Sequence, residues 1–227
     1  MRTRETSRSS TNSFYQSPTL NQMDNGKFEE RPTILAMKGH PGTGKSTLAY
    51  SIAKTLKCPL IDKDHFKDCT KPLQRVTKAT ELLNDLSYEV MWRVASAQLD
   101  LGLSVVIDSP LSRKAHLDQI LEIGAHSGAR VVVVECKPRD EAEWRRRLER
   151  RSEVDGSSWH KPSTWQEMEK LLEGYGGCWD YDMGEVPRIV VDTTCANGIE
   201  EVVSTVLEFV SNACGAKKNQ WVLQCTN

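Results

Sequence analysis

The run Thr33-Ile34-Leu35-Ala36-Met37-Lys38 passes directly into Gly39-His40-Pro41-Gly42-Thr43-Gly44-Lys45-Ser46, and a helix-competent stretch continues from Thr47 to Lys57. The first run is apolar and too short for a helix, so it reads as a buried strand. The turn after it has the spacing GxxxxGK[ST], in the strand–turn–helix context that gives this spacing meaning. Glycines let the backbone curl until successive N–H groups converge on one point. The helix that begins there adds the partial positive charge of its N-terminus. Such a turn binds phosphate. Gly39, His40, Pro41, Gly42, Thr43 and Gly44 form the cradle, with His40 and Pro41 shaping it. Lys45 is placed to reach the β- and γ-phosphates of a nucleoside triphosphate, and Ser46 to offer its hydroxyl to Mg²⁺. Thr47 is placed for the α-phosphate.

The rest of the chain supplies the sheet this turn requires. Apolar runs rich in Val and Ile at 59–61, 103–107, 131–136 and 188–192 read as further buried parallel strands. Between them, residues 80–101 form a helix, with Leu83, Leu86, Val90, Val94, Ala97 and Leu101 expected on its buried face. Ser112 is expected to cap a helix that buries Leu117, Ile120 and Leu121. Charged helix 139–152 and amphipathic helix 198–211 complete the alternation. Strand–helix alternation with right-handed crossovers predicts an α/β fold, an open parallel sheet covered on both faces.

Composition excludes other classes. With 30 basic and 31 acidic side chains the formal net charge is −1, so no global attraction for nucleic acid or anionic lipid exists. No run approaches the roughly 18 apolar residues of a membrane-spanning helix. Seven cysteines, an odd number without CxxC, suit a reducing, cytoplasmic compartment. Residues 1–28 are rich in Ser, Thr and Arg and poor in apolar side chains, so they are expected to be a disordered tail. The same bias leaves open a transit peptide for a plastid or mitochondrion. The folded domain is placed at 29–211, and 212–227 as a C-terminal tail.

Guanine-reading NKxD and transporter-type LSGGQ motifs are both missing from the sequence. Downstream of the turn and its helix lies Leu60-Ile61-Asp62-Lys63-Asp64-His65-Phe66-Lys67, a strand ending in carboxylates at the sheet edge where ligands lie. From residue 33 to about 195 the sequence resembles the P-loop kinases grouped with zeta toxins, chloramphenicol phosphotransferase and polynucleotide 5′-hydroxyl kinase. The resemblance implies a P-loop NTPase three-layer sandwich with strand order 2-3-1-4-5 and a short lid near 150–164. It implies an ATP- and Mg²⁺-dependent transfer of the γ-phosphoryl group to a hydroxyl. In that group a strand-end Asp takes the proton of the acceptor hydroxyl. By position this is Asp64, with Asp62 as the alternative, and Lys67 stands where a basic residue binds the acceptor.

Ser104-Val105-Val106-Ile107-Asp108 is a second strand ending in an acid, and Asp108 is placed to hold a water of the Mg²⁺ shell. Arg113 is a candidate on the acceptor side. Residues 141–151 interleave arginines with acids. Glu141–Arg145 and Glu143–Arg147 are spaced as solvated i,i+4 pairs. The resemblance assigns Arg147 and Arg150 to the transferring phosphoryl group and Arg151 to the nucleotide. Fixed cations there meet the charge that spreads over the phosphoryl oxygens. His160-Lys161-Pro162 resembles the passage after the lid, and Ser163 is expected to cap the helix from Trp165. Three readings remain open: a small-molecule kinase, a nucleic-acid end kinase, which the charge balance disfavours, and an ATP-binding switch acting through partners. Oligomeric state is not legible.

Overall fold

In the computed structural model the described residues are 31–77, 79–154, 161–195 and 198–213, without the side chains of Arg75 and of 151–154. The expected tail at 1–28, most of 212–227, and Trp159 and His160 lie outside them.

β1 (Thr33–Lys38) is buried along its whole length, as a central strand covered on both faces must be. It pairs in parallel with β3 (Val105–Asp108) on one side and β4 (Arg130–Cys136) on the other. β2 (Leu60–Asp62) adds beyond β3 and β5 (Arg188–Val191) beyond β4. The sheet order is β2-β3-β1-β4-β5, the expected 2-3-1-4-5.

Because strand side chains alternate, the sheet feeds two cores. Leu35, Met37, Val106, Val132 and Val134 pack against α1 (Lys45–Leu56) and α8 (Gly198–Ala213). Ile34, Ala36, Val105, Ile107 and Val133 pack on the other face against α4 (Thr80–Asp100) and α5 (Lys114–His126). Two short helices, α2 (Lys63–Cys69) and α3 (Lys71–Thr77), join β2 to α4. α6 (Glu141–Val154) and α7 (Trp165–Gly174) lie between β4 and β5. Parallel strands bring the loops after β1, β2, β3 and β5 to one edge, where a ligand site forms in this architecture.

Three local expectations are corrected. The buried face of α4 is Leu83, Ser87, Tyr88, Met91, Ala95 and Leu99, whereas Leu86, Ala97 and Leu101 are not buried. Ser87 tolerates burial because its hydroxyl donates to the Leu83 carbonyl at 2.8 Å. Ser112 does not cap α5, whose N-cap position is Arg113. Thr164, not Ser163, caps α7, accepting from Glu167 N–H at 3.2 Å. The Ser163 N–H and hydroxyl donate instead to Glu167 Oε2.

Candidate active site

The turn after β1 closes on itself. Thr43 donates to the His40 carbonyl from its N–H (3.3 Å) and its hydroxyl (2.8 Å). Gly39 N–H donates to the Pro110 carbonyl, which ties the turn to the exit of β3. Bulk is excluded from it. A Cβ on Gly39 would meet Thr43 Oγ1 at 2.8 Å. One on Gly42, where φ is +80°, would meet Trp144 Nε1 at 3.1 Å and Leu148 Cδ1 at 3.2 Å. Gly44 (φ +81°) opens α1 and offers no side chain to cap it, which leaves that end for a ligand's anion.

At the centre, Lys45 Nζ lies 2.5 Å from Asp108 Oδ1. Burial opposes the lysine's charge, but the Asp108 carboxylate outweighs it and raises the Lys45 pKa. Asp108 is itself buried, and its second oxygen, Oδ2, has no hydrogen-bond partner among the described residues. Lys45, Ser46 and Thr47, in the first turn of α1, line the cleft above the turn. A buried carboxylate oxygen without a partner suits a hard, oxygen-seeking dication that keeps most of its waters, and the Ser46 hydroxyl is an oxygen ligand of the same kind.

The end of β2 separates the two candidate bases. Asp62 caps α2, accepting from Asp64 N–H at 2.8 Å, and burial, then the nearby Asp108, raises its pKa. Asp64 lines the cleft and Asp62 does not. Lys63 Nζ lies 3.2 Å from Asp64 Oδ1 and Lys161 Nζ 2.7 Å from Asp64 Oδ2. Lys67 donates to Asn84 Oδ1 at 3.1 Å, and burial, reinforced by Lys63, brings its pKa down to about 8. Arg113 lines the same wall, as do Tyr88 and His116, whose rings stack at 4.1 Å.

Of the arginines on α6, Arg147 reaches the cleft. Its Nε donates to Glu143 Oε1 at 2.6 Å and its Nη1 to the Thr193 carbonyl at 2.9 Å. Arg150 is exposed and does not line the cleft, and the Arg151 side chain lies outside the described residues. The Glu141–Arg145 and Glu143–Arg147 pairs both form.

Other contributors have no local signature. The Thr193 hydroxyl donates to the Thr43 carbonyl from the loop after β5. Trp144 Nε1 donates to the Pro41 carbonyl at 2.8 Å, and Trp165 packs edge-on against Trp144. Trp179 stacks on His40 with ring centroids 3.5 Å apart, while the buried Lys38 Nζ sits 3.6 Å over the Trp179 ring. Burial and Lys38 hold the His40 pKa down at about 4. The turn that these residues brace forms the floor of a cleft of about 750 Å³, and one wall of that cleft carries Asp64.

Residues 34–174, more than half of the chain, match the AAA domain family. The chain belongs to that family. The sequence has no significant match among curated proteins. Three solved structures resemble this AAA-domain chain. One, from Chloroflexus aurantiacus and provisionally described as a kinase, is 20% identical, with a TM-score of 0.63 over 81% of this chain and 98% of that one. The Mycobacterium tuberculosis APS kinase CysC, in complex with AMPPNP and APS, is 16% identical, with a TM-score of 0.54 over 80% of this chain and 98% of that one. A gluconokinase from Sinorhizobium meliloti is 22% identical, with a TM-score of 0.53 over 82% of this chain and 95% of that one. These likenesses establish the P-loop kinase-like α/β fold. No helix among the described residues is long and apolar enough to cross a membrane.

Proposed function

We propose that this AAA-domain chain is a kinase that moves the γ-phosphoryl group of ATP to a hydroxyl of a small molecule. The observation that carries the reading is the shared cleft. One wall holds Asp64, and the floor is a closed GxxxxGK[ST] turn with Lys45 paired to a buried carboxylate. A pure nucleotide switch needs the floor but not the wall.

Catalysis in this reading is positioning plus charge neutralisation. Backbone N–H groups of the turn and Lys45 hold the phosphates. Arg147, fixed by Glu143 and the Thr193 carbonyl, stands by for charge on the transferring group. Asp64 accepts the acceptor's proton, and Asp62 serves as the cap that fixes the backbone of Asp64. Ser46, directly, and Asp108, through water, would hold Mg²⁺. When bound, the ion neutralises charge on the phosphate oxygens. The residues Asp64, Lys67 and Arg147 follow the pattern of the zeta toxin and chloramphenicol phosphotransferase group, and residues 29–211 make up the catalytic unit.

The test is transfer from γ-labelled ATP into a pool of metabolites and short oligonucleotides, with Lys45→Ala in parallel. Transfer by the wild type and none by a folded Lys45→Ala is expected. Equal transfer by both would refute the assignment.

A further inference from the structure

The acceptor side of the cleft carries more positive charge than its own acids neutralise. Lys63, Lys67, Arg113 and Lys161 line it with only Asp64 and Asp85, in a chain whose net charge is −1. Asp64 engages two of these cations, Lys63 on one oxygen and Lys161 on the other. The remaining two form no ion pair with a described residue, and Asp64 and Asp68 only partly offset what burial costs the Lys67 charge. Lys67 donates to a neutral amide, that of Asn84. The Arg113 guanidinium makes no hydrogen bond or ion pair with another described residue, and neither does the Asp85 carboxylate make an ion pair with one.

For the partly buried Lys67 this arrangement costs free energy that a ligand can offset, whereas Arg113 is exposed at the rim of the cleft. Burial already disfavours the Lys67 ammonium, and Lys63 repels it. A partly buried cation hydrogen-bonded to a neutral amide is stabilised when an anion arrives. An excess of one sign in a concave site also raises the local concentration of the opposite sign. A neutral alcohol would leave both charges as they are. The adjoining wall is different in kind, since the stacked rings of Tyr88 and His116 offer the ligand body a flat face.

We propose that the acceptor is an anionic alcohol, a small molecule bearing a carboxylate or phosphate beside the hydroxyl that is phosphorylated, with Lys67 and Arg113 binding that anion. The inference rests on the kinase reading and narrows it. The anion lies on the side of Lys67 and Arg113, which leaves Asp64 to the hydroxyl. Neutral sugars and nucleosides are then poor acceptors.

The test is calorimetric titration of the full chain after saturation with AMPPNP and magnesium, which fills the phosphate-binding turn. Probes are matched pairs: D-gluconate with D-glucose, glycerol 3-phosphate with glycerol, and adenosine 3′-monophosphate with adenosine. At least one anion should bind at least about tenfold more tightly than its neutral counterpart. Arg113→Gln and Lys67→Gln should each remove most of that preference without changing AMPPNP affinity. Preference for the 3′-nucleotide alone supports the proposal and directs it toward nucleotide acceptors. The proposal is overturned if no anion binds the nucleotide-filled protein, if neutral partners bind equally well, or if Arg113→Gln changes nothing. Failure of AMPPNP itself to bind would instead overturn the kinase reading, and this narrower proposal with it.

Discussion

Lys161 Nζ lies 2.7 Å from Asp64 Oδ2, while Lys63 holds the other oxygen of the same carboxylate at 3.2 Å. A residue at the end of the expected lid thus reaches the end of β2 and orients the group assigned as base. Lys161→Met should therefore lower transfer by about tenfold, with ATP affinity unchanged, because one of two anchors on Asp64 is lost. Lys161→Arg should recover part of the rate. Steady-state kinetics with both substrates varied checks this, and a loss confined to the KM for ATP would contradict it.

Gly42 and Gly128 both have positive φ, +80° and +63°, but only Gly42 has neighbours within reach of an added Cβ. Gly128→Ala should cost about 1 kcal/mol, from backbone strain alone. Gly42→Ala should cost more, since the methyl group also presses on Trp144 and Leu148. It should weaken nucleotide binding as well, because Trp144 holds the Pro41 carbonyl of the turn. Thermal melts with and without AMPPNP measure both effects.

The sheet and the glycine-rich turn after β1 were legible in the sequence because both are written locally. A strand buried on both faces is an uninterrupted apolar run, and the turn is a fixed spacing of glycines and lysine. The face of α4 was not. Apolar counting favoured Leu86 and Leu101, which are exposed, over Ser87 and Tyr88, which are buried. Ser87 satisfies its hydroxyl within its own helix, so polarity did not forbid burial. The strand-end motif placed Asp62, Asp64 and Lys67 close together, but only the folded chain shows that Asp62 caps α2 while Asp64 and Lys67 line the cleft. Lys161, Trp144 and Thr193 reach the site only through tertiary closure, and no sequence spacing encodes such contacts.

His40 and His116 are both held neutral, each with a pKa near 4, by burial first and then by Lys38 and Arg113 respectively. A depressed histidine pKa means that the unfolded chain binds the proton first. Stability is therefore full above about pH 6.5 and is lost as pH falls toward 4. Each should cost about 1–2 kcal/mol near pH 5. His116→Phe keeps the stack on Tyr88, so its melting temperature should fall less than the wild type's between about pH 7 and 5. An equal fall in both would contradict this.

Lys67 loses its proton around pH 8 because burial and Lys63 disfavour its charge, against the smaller opposing pull of Asp64 and Asp68. The acceptor KM should then rise as pH increases through about 8, while the KM for ATP stays level. Lys67→Arg keeps the charge at every accessible pH and should flatten the profile. A rise that survives in Lys67→Arg would assign it to another group.

The central claim is that Asp64 acts on the acceptor while the turn holds the nucleotide. Asp64→Asn keeps the size of the side chain but cannot take a proton. Measured side by side, ATP affinity should stay within a few-fold of wild type, and phosphoryl transfer to the acceptor should fall at least about a hundredfold. Asp62→Asn, which retains an oxygen to cap α2, should cost far less. Full transfer by Asp64→Asn, or its loss only in Asp62→Asn, would contradict the account.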